Sequence, residues 1–331
     1  MAQQSMKSSG VMSAAEAKRI AKRSGKKTAR NRFKKSLSLY ALLIPGLFMI
    51  ILFHYVPMYG LAIGFKKYNI FLGNSPFDAI RLSPWVGLAN WSKLWIQSKF
   101  RQAIINTFVI SAMKIVIGFP IPIILALMIN EVRGTITKRV LQTVMYLPHF
   151  ISWVVVGALF MNILGTTGIV NSWINAMGGQ TQKFFMDNRW FRWILLLTSV
   201  WKESGWGTIV YLAAITGIDP ALYEAARIDR ANRLQQIWYV TLPGIAGTVV
   251  MMLILRLGGI MDAGFSQILV MYNSTVYKSG DIIGTFVYRE GIGKFNWSQG
   301  TIVGFFNSII NMILMLGGNY ISRKLTERSI W

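Results

Sequence analysis

The sequence predicts an all-α polytopic membrane protein, and three observations lead to this prediction. Of the 331 residues, 53% are hydrophobic and only 14% are charged, a composition too apolar for an ordinary soluble domain. Six apolar runs each approach the roughly 20 residues that a helix needs to cross a hydrocarbon core of about 30 Å. Lysine and arginine are concentrated in the first 38 residues, outside these runs.

The N-terminal segment 1–38 is polar and basic. It holds 11 Lys and Arg side chains and a single acid, Glu16. Because it lacks the apolar core and cleavage site of a secretory signal, we expect it to stay in the cytoplasm, attracted to anionic membrane lipid. No nucleic-acid-binding module follows it, so we expect no nucleic acid partner.

The six predicted spans come next in the chain. We place them at 40–65, 104–129, 140–164, 193–216, 245–270 and 302–321. Between the first two, Trp85, Trp91 and Trp95 suit a membrane interface, where an amphipathic ring has one apolar and one wet side.

The distribution of Lys and Arg predicts the orientation of the spans. With the N-terminal tail inside, inner segments hold 20 of these residues and outer segments 12, six of them in the first outer segment. The positive-inside rule is obeyed, largely because of the tail. An even number of spans then returns the C-terminus to the cytoplasm.

The polar interruption 217–243 separates two long apolar runs. Asp219 and Pro220 suit the N-cap and the first position of a short helix, which we expect to run to Ile228. We expect Asp229 to cap a second helix, which carries Leu234, Ile237, Trp238 and Val240 on one side. Pro243 should start a new segment, because it removes a backbone donor. The prediction is a helix-turn-helix outside the membrane.

A spaced motif lies within this interruption. Glu224-Ala225-Ala226 is followed after three residues by Arg230, and after nine more by Val240-Thr241-Leu242-Pro243. This pattern resembles the EAA loop of bacterial ABC importer permeases, in which a Gly stands at the position of Arg230. Gly takes positive φ at little cost, so Arg230 either has ordinary backbone angles or carries some strain.

Flanking sequence strengthens the resemblance. The stretches YLPHFISWVVVG at 146–157, WKESGWGTIVYLAAITGIDPALYEAA at 201–226 and the closing NYISRKLTERSIW are similar to the carbohydrate-uptake branch of these permeases, the LplB-like oligosaccharide permeases. The resemblance implies the type I (MetI-like) fold with six transmembrane helices in 39–322 and a cytoplasmic EAA coupling helix in 217–243. It also implies cytoplasmic tails at 1–38 and 323–331, in the membrane of a bacterial cell.

The resemblance also implies partners. These are a second permease subunit, two ATPase subunits, and an extracellular or periplasmic solute-binding protein that delivers an oligosaccharide, with uronic-acid-containing sugars among the candidates. The ATPase would contact Glu224, Ala225, Ala226, Asp229 and Arg230. No GxxxxGK[ST] phosphate loop occurs in the chain, so we expect ATP and Mg to be bound by the partner ATPases and no cofactor or enzymatic activity here.

Polar residues within the spans are candidates for the substrate pathway, because ionisable groups in hydrocarbon usually face a polar cavity or a partner. Arg256 and Asp262 lie in the fifth predicted span, about 120° apart on a continuous helix, so they should not pair directly. Lys114 lies in the second span, and Asn307 and Asn311 share a face of the sixth. For each of them, a structural hydrogen bond or ion pair is the alternative.

Other residues are less specific signals. Trp153, Trp206 and Tyr211 could stack on sugar rings, although aromatic residues in spans usually pack. The chain has no cysteine, and His54 and His149 are far apart, so we expect no metal site. The alternatives to a sugar importer subunit are a permease for another solute, such as a polyamine, phosphonate or peptide, a non-transport membrane enzyme or scaffold, and a secondary transporter.

Overall fold

The computed structural model describes residues 40–326, apart from the side chains of 321, 322, 325 and 326. The predicted tail 1–38 and the last five residues lie outside this range. The chain divides into two units, one up to Leu61 and one from Ala62 onward, and each is described by itself. The described residues form helices joined by turns and irregular segments, with one isolated bridge between Lys66 and Trp85.

We label twelve helices of the described residues in chain order. They are α1 (Tyr40–Phe65), α2 (Pro76–Leu82), α3 (Ala89–Ile96), α4 (Ser98–Glu131), α5 (Thr135–Tyr146), α6 (Trp153–Leu164), α7 (Ile169–Ala176), α8 (Asn188–Thr216), α9 (Pro220–Ile228), α10 (Arg233–Gly258), α11 (Phe265–Met271) and α12 (Trp297–Thr326). Short helical turns at Tyr277–Gly280, Ile283–Phe286 and Val287–Ile292 connect α11 to α12.

Five helical segments of the described chain are long and apolar enough to cross a membrane. They are α1, α4, the α6–α7 segment, α10 and α12, the last over Trp297–Tyr320. A sixth is obtained when α8 and α9, which meet at a bend of 70°, are counted as one span. Most spans extend beyond the predicted apolar runs, because polar residues continue each helix past the hydrocarbon core.

The third predicted span, 140–164, is wrong as a continuous helix. A 3-10 turn at Leu147–Phe150 follows α5, and α6 begins anew at Trp153. Its N-cap is Ser152, whose side chain accepts a hydrogen bond from the Val155 amide. The reason is Pro148, which has no amide hydrogen to continue the helix. The membrane-crossing segment is shifted toward the C-terminus and covers Trp153–Ala176.

The fifth predicted span, 245–270, is also broken. The α-helical part of α10 ends at Gly258, and a 3-10 turn, Ile260–Asp262, leads to α11. Ala263 and Gly264 both have positive φ, 49° and 86°, which interrupts the helical backbone between the two segments. The apolar run was therefore long enough for one span but contains a helix, a turn and a second short helix.

The helix predicted at 220–228 is present with these bounds as α9, and the Asp219 side chain accepts a hydrogen bond from the Ala221 amide as expected of an N-cap. The predicted cap of the second helix is wrong: Asp229 is the C-cap of α9, and Asn232 caps α10. Asn232 and Gln235 exchange side-chain to backbone hydrogen bonds in a capping box, a role for which Asp229 lies too early.

Pro243 does not start a separate segment. It lies inside α10, which continues through it by a π-helical turn at Ile237–Thr241. A π turn absorbs a position that cannot make the regular bond, so the polar connection and the following span form one continuous helix.

The apolar core of the second unit consists of three clusters that follow one another along the spans. The first joins α4, α6, α8 and α11, the second joins α3, α4 and α12, and the third joins α4, α8 and α10 near α9. Helix α8 passes close to α5 at Gly205, where an added Cβ would collide with the Met145 backbone carbonyl. Glycine is therefore required for this approach.

Candidate functional site

Four charged side chains meet in the second unit, and we call Lys114, Glu203, Arg256 and Asp262 the central cluster. Lys114 lies halfway along α4 (Ser98–Glu131), and Glu203 lies halfway along α8 (Asn188–Thr216). Arg256 comes from the last turn of α10, and Asp262 from the 3-10 turn after it. The cluster holds two cations and two anions, so its formal charge is balanced.

Two adjoining cavities share most of this cluster. One, of about 270 Å³, is lined by all four charged residues, by Ser111 and by residues of the turn after α10, including Gly259 and Gly264. The other, of about 370 Å³, shares Lys114, Glu203 and Arg256 and is otherwise lined mostly by apolar, aromatic and small residues of α4 and α8, together with His149 and Met252. Charged groups therefore stand between a polar chamber and a more apolar chamber, halfway along two spanning helices.

Lys114 is buried and bonded to protein. Its ammonium group donates hydrogen bonds to the carbonyl of Ala263 (2.9 Å) and to the side-chain oxygen of Gln267. The Gln267 amide in turn donates to Leu195 of α8. Lys114 thus fastens the turn between α10 and α11, and Gly264 leaves the room that its ammonium group occupies.

Arg256 and Glu203 form an ion pair, with 3.6 Å between a guanidinium nitrogen and a carboxylate oxygen. Their side chains are 47% and 38% exposed, so the pair is open to the cavities. Because α10 ends at Gly258, the expected angle between Arg256 and Asp262 on one helix does not apply. Both residues line the same chamber from different elements, and Asp262 is exposed there.

Asn311 and Asn307 of α12 lie one turn apart, as expected. The Asn311 side-chain oxygen accepts a hydrogen bond of 3.2 Å from the Met261 amide, which ties α12 to the turn after α10. The Asn307 side-chain oxygen is buried without a hydrogen-bond partner among the described residues. The two residues do not line the cavities that hold the central cluster.

The three candidate sugar-stacking aromatics are engaged in different contacts. The Trp206 ring stacks on His149 with 4.7 Å between centroids, and Lys202 lies over the Trp153 ring at 5.5 Å. Tyr211 is buried. Trp206 and Tyr211 line the larger cavity, and one face of the Trp206 ring is covered by His149.

Arg230 follows the end of α9 with a φ of 56°. The Ala231 amide donates to the Ala226 carbonyl at 2.9 Å, and the Arg230 amide donates to Arg227. This is the Schellman arrangement, in which the left-handed residue is most often glycine. The spacing of the motif therefore indicates the turn correctly, and Arg230 carries the strain of an L-residue in the left-handed region.

Helix α9 presents several exposed side chains, including Glu224, Ala225, Leu222 and Ile228, and Ile228 is 83% exposed. On its other side, the Tyr223 hydroxyl lies 2.9 Å from the Thr241 hydroxyl of the π turn in α10. Gly244 leaves space for the Ile218 side chain next to the same junction. Helix α9 is thus joined to α8 through the chain and to α10 through side chains.

Two residues of the site were not anticipated from the sequence. Glu203 pairs with Arg256, and Gln267 holds Lys114. An acid within the predicted span 193–216 was a signal for Glu203. Gln267 gave no such signal, since its role depends on the break at Gly258.

The fold and the site define an integral membrane transport subunit: spanning helices surround charged cavities, and a short exposed helix leaves the bundle at one end. A family model described as binding-protein-dependent transport system inner membrane component matches residues 118–327. The chain belongs to this family.

Two relatives from Bacillus subtilis (strain 168) are each 40% identical to the chain. The polygalacturonan/rhamnogalacturonan transport system permease protein YteP matches over 88% of this chain and 90% of its own. Protein LplB matches over 90% of this chain and 92% of its own. In the crystal structure of a bacterial ABC transporter involved in the import of the acidic polysaccharide alginate, a chain superposes with a TM-score of 0.83 at 38% identity, over 90% of this chain and 99% of that one.

Proposed function

We propose that this chain is a permease subunit that moves an acidic oligosaccharide across a bacterial cell membrane by alternating access. ATP is hydrolysed by separate ATPase subunits, and a second permease completes the pathway. A solute-binding protein outside the membrane delivers the sugar. Both termini and α9 lie in the cytoplasm.

The central cluster is the observation that carries this proposal. Charged groups are costly inside a membrane unless they face water, a partner or a ligand. Here Arg256, Glu203 and Asp262 face cavities halfway along two spanning helices. Hydroxyl groups of a sugar find both donors and acceptors in such a site, and a carboxylate finds Arg256.

The acidic nature of the sugar is supported by the relatives and by the chemistry of the cluster. The alginate transporter imports an acidic polysaccharide, and a second crystal structure of it contains a periplasmic protein bound to alginate pentasaccharide. Polygalacturonan, in the name of YteP, is also built of sugar acids. The Arg256–Glu203 pair is partly exposed and therefore weak, about 0–1 kcal/mol, so a sugar carboxylate can replace Glu203 as the partner of Arg256.

Helix α9 supports the proposal that ATP hydrolysis is coupled from a partner. It is exposed, stands at 70° to α8, and is connected to both α8 and α10. A protein that binds Glu224, Ala225 and Ile228 and then moves would displace the ends of two spanning helices that line the central cavities. Leu234, Trp238 and Tyr239 at the start of α10 are exposed beside it.

Reconstitution tests this proposal. The permease pair and its ATPases are reconstituted in proteoliposomes that contain ATP. The solute-binding protein and tri-galacturonate are added outside, and uptake of the sugar is measured. We expect uptake that requires ATP and the binding protein. Uptake of a polyamine or peptide in place of oligosaccharides, or full activity without an ATPase, would refute it.

A further inference from the structure

A second polar pocket, of about 330 Å³, lies far from the central cluster. It is formed by the first turns of α4 and by the chain between α11 and α12, and we call it the outer pocket; its lining includes Lys99, Gln102, Tyr277, Lys278, Asp281 and Arg289. Its volume lies within the range of roughly 300–1,000 Å³ found for small-molecule sites.

The outer pocket is at the end of the molecule opposite to α9. Helix α4 begins beside the pocket at Ser98 and ends at Glu131, whose carboxylate lies 3.8 Å from Arg233 at the start of α10. A helix of this length spans about 50 Å, more than the hydrocarbon core. The pocket and α9 therefore lie on opposite sides of the membrane.

The wall of the outer pocket is held in place by side chains from two spanning helices. Gln102 donates to the Lys278 carbonyl at 3.0 Å, and Asn106 donates to the Asp281 carbonyl at 2.9 Å. Arg192 of α8 donates to the Ser279 carbonyl at 3.0 Å and to the Asn106 side chain at 2.8 Å. These bonds join the short helical turn Tyr277–Gly280 and Asp281 to α4 and α8.

Some of the charged side chains in the outer pocket have an oppositely charged partner and others do not. Asp281 is buried and bonded by both terminal nitrogens of Arg289, at 3.0 and 2.6 Å, and these hydrogen bonds raise the pKa of Arg289. The face of the Tyr277 ring is covered by Arg289 at 4.4 Å. Lys99 and Lys278, by contrast, are exposed and have no acid within ion-pair distance among the described residues.

We propose that the outer pocket binds a carboxylate-bearing sugar residue through Lys99 and Lys278, and that it receives the acidic oligosaccharide before the central cavities do. This inference rests on the proposed function, because it takes the same substrate class. Gln102 and Ser98 provide polar groups for sugar hydroxyls beside the two ammonium groups.

The charge of the surrounding segments supports an anionic ligand on this side. Segments 66–101, 165–192 and 271–301 hold twelve Lys and Arg side chains against the four acids Asp78, Asp187, Asp281 and Glu290. Such an excess is unexpected on the outer side of a membrane protein, where basic residues are usually few. A requirement to attract an acidic sugar accounts for it.

The concave shape of the outer pocket favours a sugar as its ligand over an acidic patch on the surface of a protein. Small-molecule sites are pockets with a few convergent polar groups, whereas protein interfaces are broad and have buried aromatic anchors at their centre. Within the pocket, the Tyr277 ring already packs against Tyr272 and Arg289 and is not free to anchor a partner.

Binding to the full chain in lipid nanodiscs tests this inference. The probe is tri-galacturonate, and the reference probe is the same trisaccharide with its carboxyl groups reduced to alcohols. We expect Lys99→Gln and Lys278→Gln each to weaken binding of the acidic probe about tenfold, the usual loss for a hydrogen bond to a charged group. Lys278→Arg should retain binding, and Lys93→Gln on α3, an exposed lysine outside the pocket, should have no effect.

Several outcomes would overturn the inference. They are equal affinity for the two probes, no measurable binding to the wild-type chain, unchanged binding in the Lys99→Gln/Lys278→Gln variant, or binding lost only with Arg256→Ala, which assigns it to the central cavity. If these lysine variants lose association with the solute-binding protein while their sugar binding is unchanged, the outer pocket is a docking site for that protein and the inference is wrong. ATP-dependent uptake by the wild-type complex remains in all these cases if the proposed function holds, so the two failures are distinguishable.

Discussion

Arg256 and Glu203 show how a charge can be kept available inside a membrane protein. Arg256 lies in the last turn of α10, where a cation is favoured by the helix dipole, and its ion pair with Glu203 is partly exposed. A buried and fully bonded arginine would be held too firmly to exchange partners. Lys114 is an example of such a firmly held cation, since its ammonium group is buried and donates hydrogen bonds to Ala263 and Gln267.

We expect Arg256→Ala to lower uptake of an acidic oligosaccharide, because the sugar carboxylate loses its partner. Glu203→Gln should lower the KM for the same sugar about fivefold, since it removes a competing anion worth about 1 kcal/mol. Uptake in proteoliposomes measures both effects, with a neutral oligosaccharide as the matched control. An Arg256→Ala complex that fails to assemble would instead show that the ion pair is structural.

The backbone of Arg230 is in the left-handed region, which few residues other than glycine adopt. Its φ of 56° is unfavourable for any L-residue, and glycine removes that penalty while adding some freedom to the unfolded chain. We expect Arg230→Gly to stabilise the protein by about 0.5–1 kcal/mol. Thermal unfolding of the purified protein measures this, and Ala231→Gly, at the next residue, should give no stabilisation.

Helix α9 is the element through which we expect a partner to act, because its exposed side holds small residues beside larger apolar ones. Ala225 is exposed and Ala226 partly exposed, and Asp219 and the Schellman turn close the two ends of the helix. Both ends are fixed by the hydrogen bonds of α9 itself, so its shape does not depend on the partner.

A large side chain in α9 should prevent close contact with an ATPase. We expect Ala226→Trp to damage substrate-stimulated ATPase activity and uptake more than Glu224→Ala does, because overpacking a close contact costs about 1–3 kcal/mol and a partly exposed ion pair about 0–1 kcal/mol. Both variants should insert normally and bind the solute-binding protein normally. Wild-type coupling by Ala226→Trp would mean that α9 is only a connecting segment.

The second unit as a whole has two ends joined by the central cavities. One end carries α9, and the other carries the outer pocket with its excess of basic residues. The proposed orientation, with α9 in the cytoplasm, places the basic excess outside the cell. When the N-terminal tail is left out of the count, basic residues are more numerous outside than inside, the reverse of the usual distribution.

Reporter fusions determine the orientation directly. A reporter inserted after Gly178, in an open turn following α7, should be external, and a reporter fused after Trp331 should be cytoplasmic. The same reporter between Asp229 and Arg230 should also be cytoplasmic. An external C-terminus would contradict the six-span prediction.

The sequence was sufficient for the helical class, the position of α9 and three of the four residues of the central cluster, Lys114, Arg256 and Asp262. Hydropathy detects burial in lipid but does not detect breaks within an apolar run, so the turns at Pro148 and after Gly258 were missed. The pairing of Arg256 with Glu203 and the bonds of Lys114 depend on contacts between helices that are distant in sequence. Such contacts are determined by packing, which a periodic pattern does not specify.

The π-helical turn Ile237–Thr241 contains one residue more than the α-helix around it would need. A π turn accommodates its extra residue within one wider turn, so the parts of α10 on either side of it keep nearly the direction of a continuous helix. Deleting one residue from this turn, such as the exposed Trp238, should leave the direction of helix α9 nearly unchanged and should cost stability instead, because Pro243 would then lie in a regular α-helix and clash with the carbonyl four residues earlier. Deleting one residue from the regular stretch after Pro243 would rotate everything before it by about 100° around the axis of α10 and draw it along that axis by about 1.5 Å. The direction in which helix α9 faces therefore depends on the number of residues in the regular part of α10 more than on the number in the π turn.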